Sequence, residues 1–366
     1  MKDRYTVVVV GAGAAGIAAA ITAARGGGRT LLLDQRPAGG GTGGFSGLTT
    51  LCGLFDEAGN FLNEGFCREF AEALMRADGI QRPVAMGGLL VQPYRPASFL
   101  KVAAELIARE PLLTVRWKTP LAGVTVDQDR IQTVNGMGVR AVIDCSGTAE
   151  AGRQAGERWL ATDDTTQAPA VLLALRHARC DWQSPLVTAK IRTAVARGGL
   201  PPVSLMPGGD PDIVPLKFAG SPAQVPALLA VLRRDVPGLA DCAPAGGEPA
   251  LARRAGAMIM GRYVLTGEDV LGARRFPDAV ARNNWPVEQW SAEGTQTLER
   301  LPAGGYYEIP ARALQAGRTQ NLFMAGKSLS ADARAAASAR VMGCCLATGA
   351  AAGKLAVELI TSAMNS

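Results

Sequence analysis

Histidine is almost missing from this chain: His177 is the single one in 366 residues. That excludes a His-rich metal site, so no metal is expected. A Ser-His-Asp triad would have to use His177, which lies in no recognisable motif. Aromatic residues are only 5% of the total, and the net charge of +6 comes from scattered Lys and Arg with local pairs such as Arg253/Arg254 and Arg274/Arg275. With no long basic run and no aromatic interleaving, a solvated basic surface is expected and nucleic acid is not a partner. The seven cysteines are odd in number and include no C-x-x-C pair. This fits a reduced, cytoplasmic setting rather than a disulfide framework. No stretch of 18 apolar residues runs uninterrupted, so no membrane insertion is expected.

Glycine, by contrast, is abundant: 44 residues in a composition that is 48% hydrophobic. There is no three-residue repeat, so the glycines belong to the tight turns of an α/β protein and not to collagen. The length corresponds to about two or three domain-sized units.

The most informative stretch is YTVVVVGAGAAGIAAA, residues 5–20. Four valines read as a buried strand. Gly11, Gly13 and Gly16 then give G-x-G-x-x-G, and an Ala-rich helix follows. A Rossmann dinucleotide site needs this order. The first glycine allows the tight turn, the second lets a pyrophosphate approach the backbone, and the third lets the helix pack on the sheet. The helix N-terminus offers unpaired N–H groups and the positive end of its dipole. A second apolar run ends in Asp34, 18 residues past Gly16, where a carboxylate can accept from a ribose 2′-OH. The N-terminus superficially resembles a signal peptide, but the glycine spacing and the returning strand argue against removal.

Further along, the loop GGGTGGFSG at residues 39–47 implies a backbone lying against something flat or charged. Helices are expected over residues 66–75 and 96–108 from their apolar spacing. Residues 113–117, 121–126 and 131–134 read as short antiparallel strands, and 141–144 as a buried strand ended by Cys145-Ser146-Gly147. Residues 151–304 are denser in Pro and Gly, with helices expected at 185–197 and 223–234 and strands near 171–175 and 214–218. The expected organisation is a dinucleotide-binding domain in two parts, 1–150 and 305–366, around a substrate or cap domain at 151–304. In the last part a strand at 321–326 runs into Gly326, and a small-residue helix opens near Arg340.

Four blocks make the chain similar to the FAD-dependent oxidoreductase family, flavoproteins with a glutathione-reductase-type Rossmann domain that are distantly similar to fumarate reductase flavoproteins. They are VVVVGAGAAGIAAAITAARGG with GGGTGGFSGL; AVIDCSGTAEAGRQAG; GRYVLTGEDVLGARRFPDAVARNNWPVE; and GYYEIPARAL joined to NLFMAGKSLSADARAAASARVMGCCLATGAAAG. The resemblance implies an α/β fold with an inserted α+β substrate domain, and FAD as cofactor. By that resemblance Gly11, Gly13, Ala14, Ala15 and Gly16 would cradle the FAD pyrophosphate. Asp34 would hold the adenosine ribose, with Gln35 and Arg36 beside it. Gly40, Gly41, Thr42, Gly43 and Gly44 would pass the diphosphate or ribityl chain, and Leu121 would contribute backbone contacts to the adenine. Ser146 and Gly147 would lie near the adenosine half, and Gly326 would approach the ribityl phosphate. Met342, Gly343 and Cys344 would place N–H groups at the flavin C2 carbonyl, where reduced flavin gathers negative charge. The chain departs from the family at Ser146-Gly147-Thr148-Ala149-Glu150, where the acidic positions are changed, and in having no evident catalytic His.

For catalysis the leading candidates are Arg340, just before the flavin-facing helix, and Arg95. Arg254 and Arg262 could also bind a substrate carboxylate, although a structural role is the leading expectation for both, and Tyr306 and Tyr307 could donate a proton, although packing is the usual use of such a pair. Cys52 and the adjacent Cys344 and Cys345 are expected to be packing residues, since vicinal cysteines strain a disulfide. The expected activity is an FAD-dependent dehydrogenase or oxidase acting on a small organic substrate, with an anionic one admitted by the arginines. The electron acceptor is unspecified, and a homo-oligomer is compatible with it. Two alternatives stay open: a flavin monooxygenase reduced by a partner, and a flavin-holding maturation factor acting on a protein. No second G-x-G-x-x-G follows a strand, which argues against a separate nicotinamide domain.

Overall fold

The computed structural model describes residues 5–162, 167–181, 184–210, 212–246, 251–254, 256–291 and 295–365. Strand β1 (Val7–Val10) runs into helix α1 (Ala14–Arg25), and β2 (Thr30–Leu33) returns beside it. Helices α2 (Gly41–Phe45), α3 (Phe66–Asp78) and α4 (Pro96–Ala108) precede β3 (Leu113–Arg116). A hairpin of β4 (Val124–Asp127) and β5 (Arg130–Val134) leads to β6 (Ala141–Asp144). Next come β7 (Trp159–Thr162), β8 (Ala170–Arg176), α5 (Pro185–Arg197), β9 (Val203–Leu205), β10 (Val214–Phe218) and α6 (Val225–Asp235). The chain closes with β11 (Gly256–Ile259), β12 (Val287–Trp290), β13 (Leu322–Met324), α7 (Ala333–Ala339) and α8 (Met342–Asn365).

The main sheet has the order β13-β6-β1-β2-β3, and every neighbouring pair is parallel. Its central strands are continuous apolar runs because both faces are covered. Strand order reverses at β1, whose neighbours are β2 on one side and β6 on the other. In such sheets ligands bind at this switch point, outside the carboxyl ends of the strands. Residues 113–117, expected as an antiparallel strand, instead form the parallel edge of this sheet. Periodicity within one segment does not reveal its partner's direction. The antiparallel pairing begins only at Val124.

Helices α1 and α8 are packed through small residues. A Cβ placed on Gly349 would lie 2.1 Å from Ala15 O, and one on Gly353 2.5 Å from Ala19 O. Thus α8 is the core helix that ties the end of the chain to its beginning. Met342–Ala363 is long and apolar enough to cross a membrane by length and composition, but 61% of its most apolar window is buried inside the protein.

A second core, separate from that of the main sheet, is formed by Val171, Leu173, Leu216, Phe218, Leu228 and Leu232. It lies between the antiparallel sheet β9-β10-β8 and helices α5 and α6. The segment 151–304, expected as one inserted unit, contains this core but extends beyond it. Ala257 and Ile259, and then Leu265, Val270, Phe276, Ala281 and Val287, belong to the cores of the main-sheet unit.

Candidate functional site

The turn between β1 and α1 lies at the switch point. Gly11 has φ +94°, a conformation other residues rarely adopt, and a Cβ there would lie 2.6 Å from Cys145 O. At Gly16 a Cβ would overlap Gly11 O at 1.7 Å. These two glycines are required by packing between β1, α1 and the end of β6. Gly13 differs: it is the N-cap of α1, and a Cβ on it would meet nothing within 4 Å. Nothing in the protein demands glycine there, whereas a ligand approaching the helix N-terminus would.

Asp34 sits at the end of β2, as expected. Its Oδ2 accepts from Ala12 N (2.6 Å) and its Oδ1 from Arg36 N (2.8 Å). It therefore staples the glycine turn to β2, and each oxygen retains a lone pair for a further donor. Thr119 N donates to Asp34 O (2.9 Å), which brings the 118–121 segment alongside. Leu121 packs there against the core that contains Val10 and Leu33. The exposed guanidinium of Arg36 lies over the Phe45 ring at 5.6 Å, and Gln35 is exposed.

The glycine loop is a short helix, α2, held against α4. A Cβ on Gly40 or Gly44 would strike Leu100 at 2.6 or 2.3 Å, and one on Gly43 would strike Phe99 at 2.6 Å. Tyr94 donates its hydroxyl to Gly43 O (2.9 Å). These three glycines are explained by packing on α4, whereas Gly41 faces the first turn, where a Cβ would lie 2.8 Å from Gly13 Cα. Thr42 is exposed.

Gly326 joins this region to a second one. It follows β13 with φ +63°, and a Cβ on it would lie 2.8 Å from the Ala15 Cβ and 3.6 Å from Cys345 Sγ. Gly326 also lines a narrow cleft. One wall is Gly326, Lys327 and the alanines of α7 up to Arg340. The other is Thr162, Gln167, Arg254, Gly256 and Met258. Asp332 sets the first wall by capping α7, accepting from Ala335 N at 2.7 Å. Capping by an aspartate is a local signal that places Arg340 just past the helix end.

The cleft is electropositive. Arg340 donates to Gln167 Oε1 (3.1 Å), Glu288 O (3.3 Å) and Ala337 O (3.4 Å). Arg254 donates to Ala168 O and stacks on Trp290 at 4.6 Å. Behind them Lys217 lies 4.2 Å from the centre of the Trp290 ring and 3.5 Å from the Glu288 carboxylate. Burial pushes the Glu288 carboxyl up, but Lys217, Arg340 and the Trp290 and Trp285 indoles outweigh it and hold it at about 2. Burial lowers Lys217; Glu288 opposes this, while Arg254 and Arg340 add to it. Burial and the charge of Arg340 bring Arg254 down to about 10.

The chain matches the FAD dependent oxidoreductase family over residues 6–202 and 205–365. It belongs to that family. Among curated proteins none matches. Solved structures show the same fold at low identity. A geranylgeranyl bacteriochlorophyll reductase-like protein from Thermoplasma acidophilum is 15% identical with a TM-score of 0.52, over 100% of this chain and 80% of that one. GidA of Aquifex aeolicus is 13% identical with a TM-score of 0.50, over 98% and 64%.

This flavoprotein is an enzyme with FAD as its cofactor. The open space at Gly13, the α1 N-terminus and the residual acceptors of Asp34 fit its nucleotide end. Several expected contacts are otherwise engaged. The Gly343 N–H donates to Cys52 O (2.9 Å), and a Cβ on Gly343 would lie 2.6 Å from both Cys52 O and Gly53 O. That glycine serves packing of α8 on the 52–53 turn. Met342 and Cys344 beside it are buried. The Gly147 N–H donates to Ser328 Oγ (3.2 Å), and the Lys327 side chain runs past it, 3.5 Å from a Cβ there. Ser146 is bound to Asp144 through both N (3.0 Å) and Oγ (2.7 Å). Ala14 and Ala15 are buried in the first turn of α1.

Arg95 lies outside the cleft. Its N–H donates to Asp78 (2.8 Å) and its Nε to Gly209 O (3.0 Å), so it fastens the 209 loop to α4. Arg262 is exposed, and Tyr307 is buried against Asn283 and Ser338. Cys52 is pushed up to about 12 by burial, with Glu288 adding and Thr50 and Lys217 opposing. Cys344 and Cys345 are free, and burial holds both as thiols. The sequence reading missed Lys217, Gln167, Glu288 and Trp290. No motif marks them, and only the apolar strands that carry Lys217 and Glu288 hinted that a charge within them needed a partner.

Proposed function

We propose that this enzyme is an FAD-dependent dehydrogenase or oxidase that binds a small organic substrate in the cleft between Arg340 and Arg254. The observation that carries this reading is Gly326. It packs on Ala15 in the dinucleotide turn and also lines the cleft, which supports a substrate space adjoining the cofactor site.

Bound FAD would supply the two-electron redox chemistry that the protein's side chains lack. The chain's own residues do the rest. The α1 N-terminus and Gly13 receive the pyrophosphate, and Asp34 accepts from the ribose. The alanines of α7 form a flat apolar wall, while Arg340, fixed by three neutral acceptors, presents its charge to the cleft. A preorganised cation at the redox site favours anionic character as electrons arrive. The free thiols of all seven cysteines support a reducing, cytoplasmic compartment. The separate core built by β8, β10, α5 and α6 supports a cap unit above the cleft.

The purified protein is expected to carry a flavin spectrum that bleaches anaerobically with the right substrate. Peroxide and a desaturated product on re-oxidation support the reading, whereas oxygen incorporated into the product points to a monooxygenase. A protein without flavin absorbance that takes up no FAD would refute it.

A further inference from the structure

The cleft shows more than its location. The dipeptide Gln167–Ala168 holds two arginines side by side: Arg340 donates to Gln167 Oε1 and Arg254 to Ala168 O. That dipeptide is in turn fixed to β12. Ala168 N donates to Trp290 O (3.0 Å) and Gln167 Nε2 to Glu288 O (3.1 Å). Every hydrogen-bond acceptor used by the two guanidiniums, among the described residues, is neutral. The nearby carboxylate of Glu288 is committed elsewhere. It accepts from Trp290 Nε1 (2.7 Å), Gln296 Nε2 (2.9 Å) and Trp285 Nε1 (3.1 Å), and it pairs with Lys217.

Like charges placed together in a desolvated wall repel one another and cost stability unless something offsets them. Neither Arg254 nor Arg340 makes a direct ion pair among the described residues; burial lowers both, Arg340 lowers Arg254 further, and Glu288 opposes this from a distance. Arginine also retains N–H donors in a planar fork, of which Arg254 uses only Nη1 among the described residues. That fork matches a carboxylate in two-point fashion. Both line the cleft and are held by one dipeptide, so a ligand carboxylate could meet both.

We propose that Arg254 and Arg340 form a paired-guanidinium seat for a substrate carboxylate. The proposal rests on the reading of the cleft as the substrate site and names the substrate class: a small organic acid. Trp290 and Lys217 back this seat. The Arg254 guanidinium lies over the indole ring, and the Lys217–Glu288 pair holds the indole N–H through the carboxylate.

The test uses the FAD-loaded full-length protein, titrated by calorimetry and flavin absorbance with acetate, succinate and benzoate, with benzamide as neutral isostere, and with inorganic phosphate and sulfate. At least one carboxylate is expected to bind saturably, with benzamide at least about tenfold weaker than benzoate. Arg254→Met is expected to weaken carboxylate binding about 30-fold, and Arg254→Lys to recover part of it. Should Arg254→Met fail to fold, the contrast between benzoate and benzamide in the unaltered protein still decides. Indifference to every carboxylate, equal binding of benzamide, or unchanged binding by folded Arg254→Met overturns the proposal. So does tighter binding of phosphate or sulfate than of all carboxylates. A protein that takes up no FAD refutes the functional reading as well; one that takes up FAD and ignores carboxylates refutes only the seat.

Discussion

The carboxylate of Asp144 accepts a hydrogen bond from the hydroxyl of Ser328, 3.1 Å away and 184 residues later in the chain. Asp144 ends β6, and Ser328 closes the turn that begins with Gly326. The same carboxylate accepts from Ser146 N and Oγ and from Ala151 N and Gly152 N. One buried acid thus locks the C-terminal return onto the switch point, which places Gly326 between the dinucleotide turn and the cleft.

Removing that acid should therefore loosen both ends. Asp144→Ala leaves several buried donors without an acceptor and is expected to cost about 3–5 kcal/mol. Asp144→Asn keeps one acceptor oxygen and should cost less. Chemical denaturation of the two variants checks the order.

The first glycine turn separates packing from ligand binding. Gly16→Ala would drive a Cβ to 1.7 Å from Gly11 O and should destabilise by about 3 kcal/mol or more. Gly13→Ala meets no protein atom within 4 Å, so its folding cost should stay near the ~1 kcal/mol of a weaker N-cap. Its flavin content is nevertheless expected to fall sharply. Thermal melts with flavin-to-protein absorbance ratios report both.

Helix α8 should tolerate no added methyl on its α1 face. Gly349→Ala is expected to destabilise by about 1–3 kcal/mol, because the new Cβ would lie 2.1 Å from Ala15 O. Gly123→Ala, where a Cβ meets nothing within 4 Å, should be neutral or slightly stabilising. Urea midpoints distinguish the two.

Acid should destabilise the cleft through Glu288. Its carboxyl is held at about 2 against an ordinary 4.5, so its contribution to stability is complete above about pH 4.5 and is lost as pH falls toward 2. Full loss corresponds to about 3 kcal/mol. Glu288→Gln should be less stable at neutral pH and should show a flatter decline between pH 4.5 and 2, measured by denaturant unfolding at each pH.

By itself the sequence determined the elements whose signals are local. Four consecutive valines and the spacing of Gly11, Gly13 and Gly16 specify the β1–α1 turn, because strand, turn and helix N-terminus are contiguous in the chain. Helices Pro96–Ala108 and Pro185–Arg197 and strand Val214–Phe218 were legible with these same boundaries, since apolar spacing and flanking Pro and Gly act over a few residues. Tertiary structure alone decided that Leu113–Arg116 is a parallel edge strand, that Gly343 serves packing, and that Arg95 lies outside the cleft. It alone also set Arg340 against Gln167, 173 residues away, and Arg254 against Ala168, 86 residues away. A glycine's purpose depends on which atom fills the space beside it, and an arginine's on which acceptors surround it. Those neighbours are brought by the fold, and no spacing along the chain encodes them.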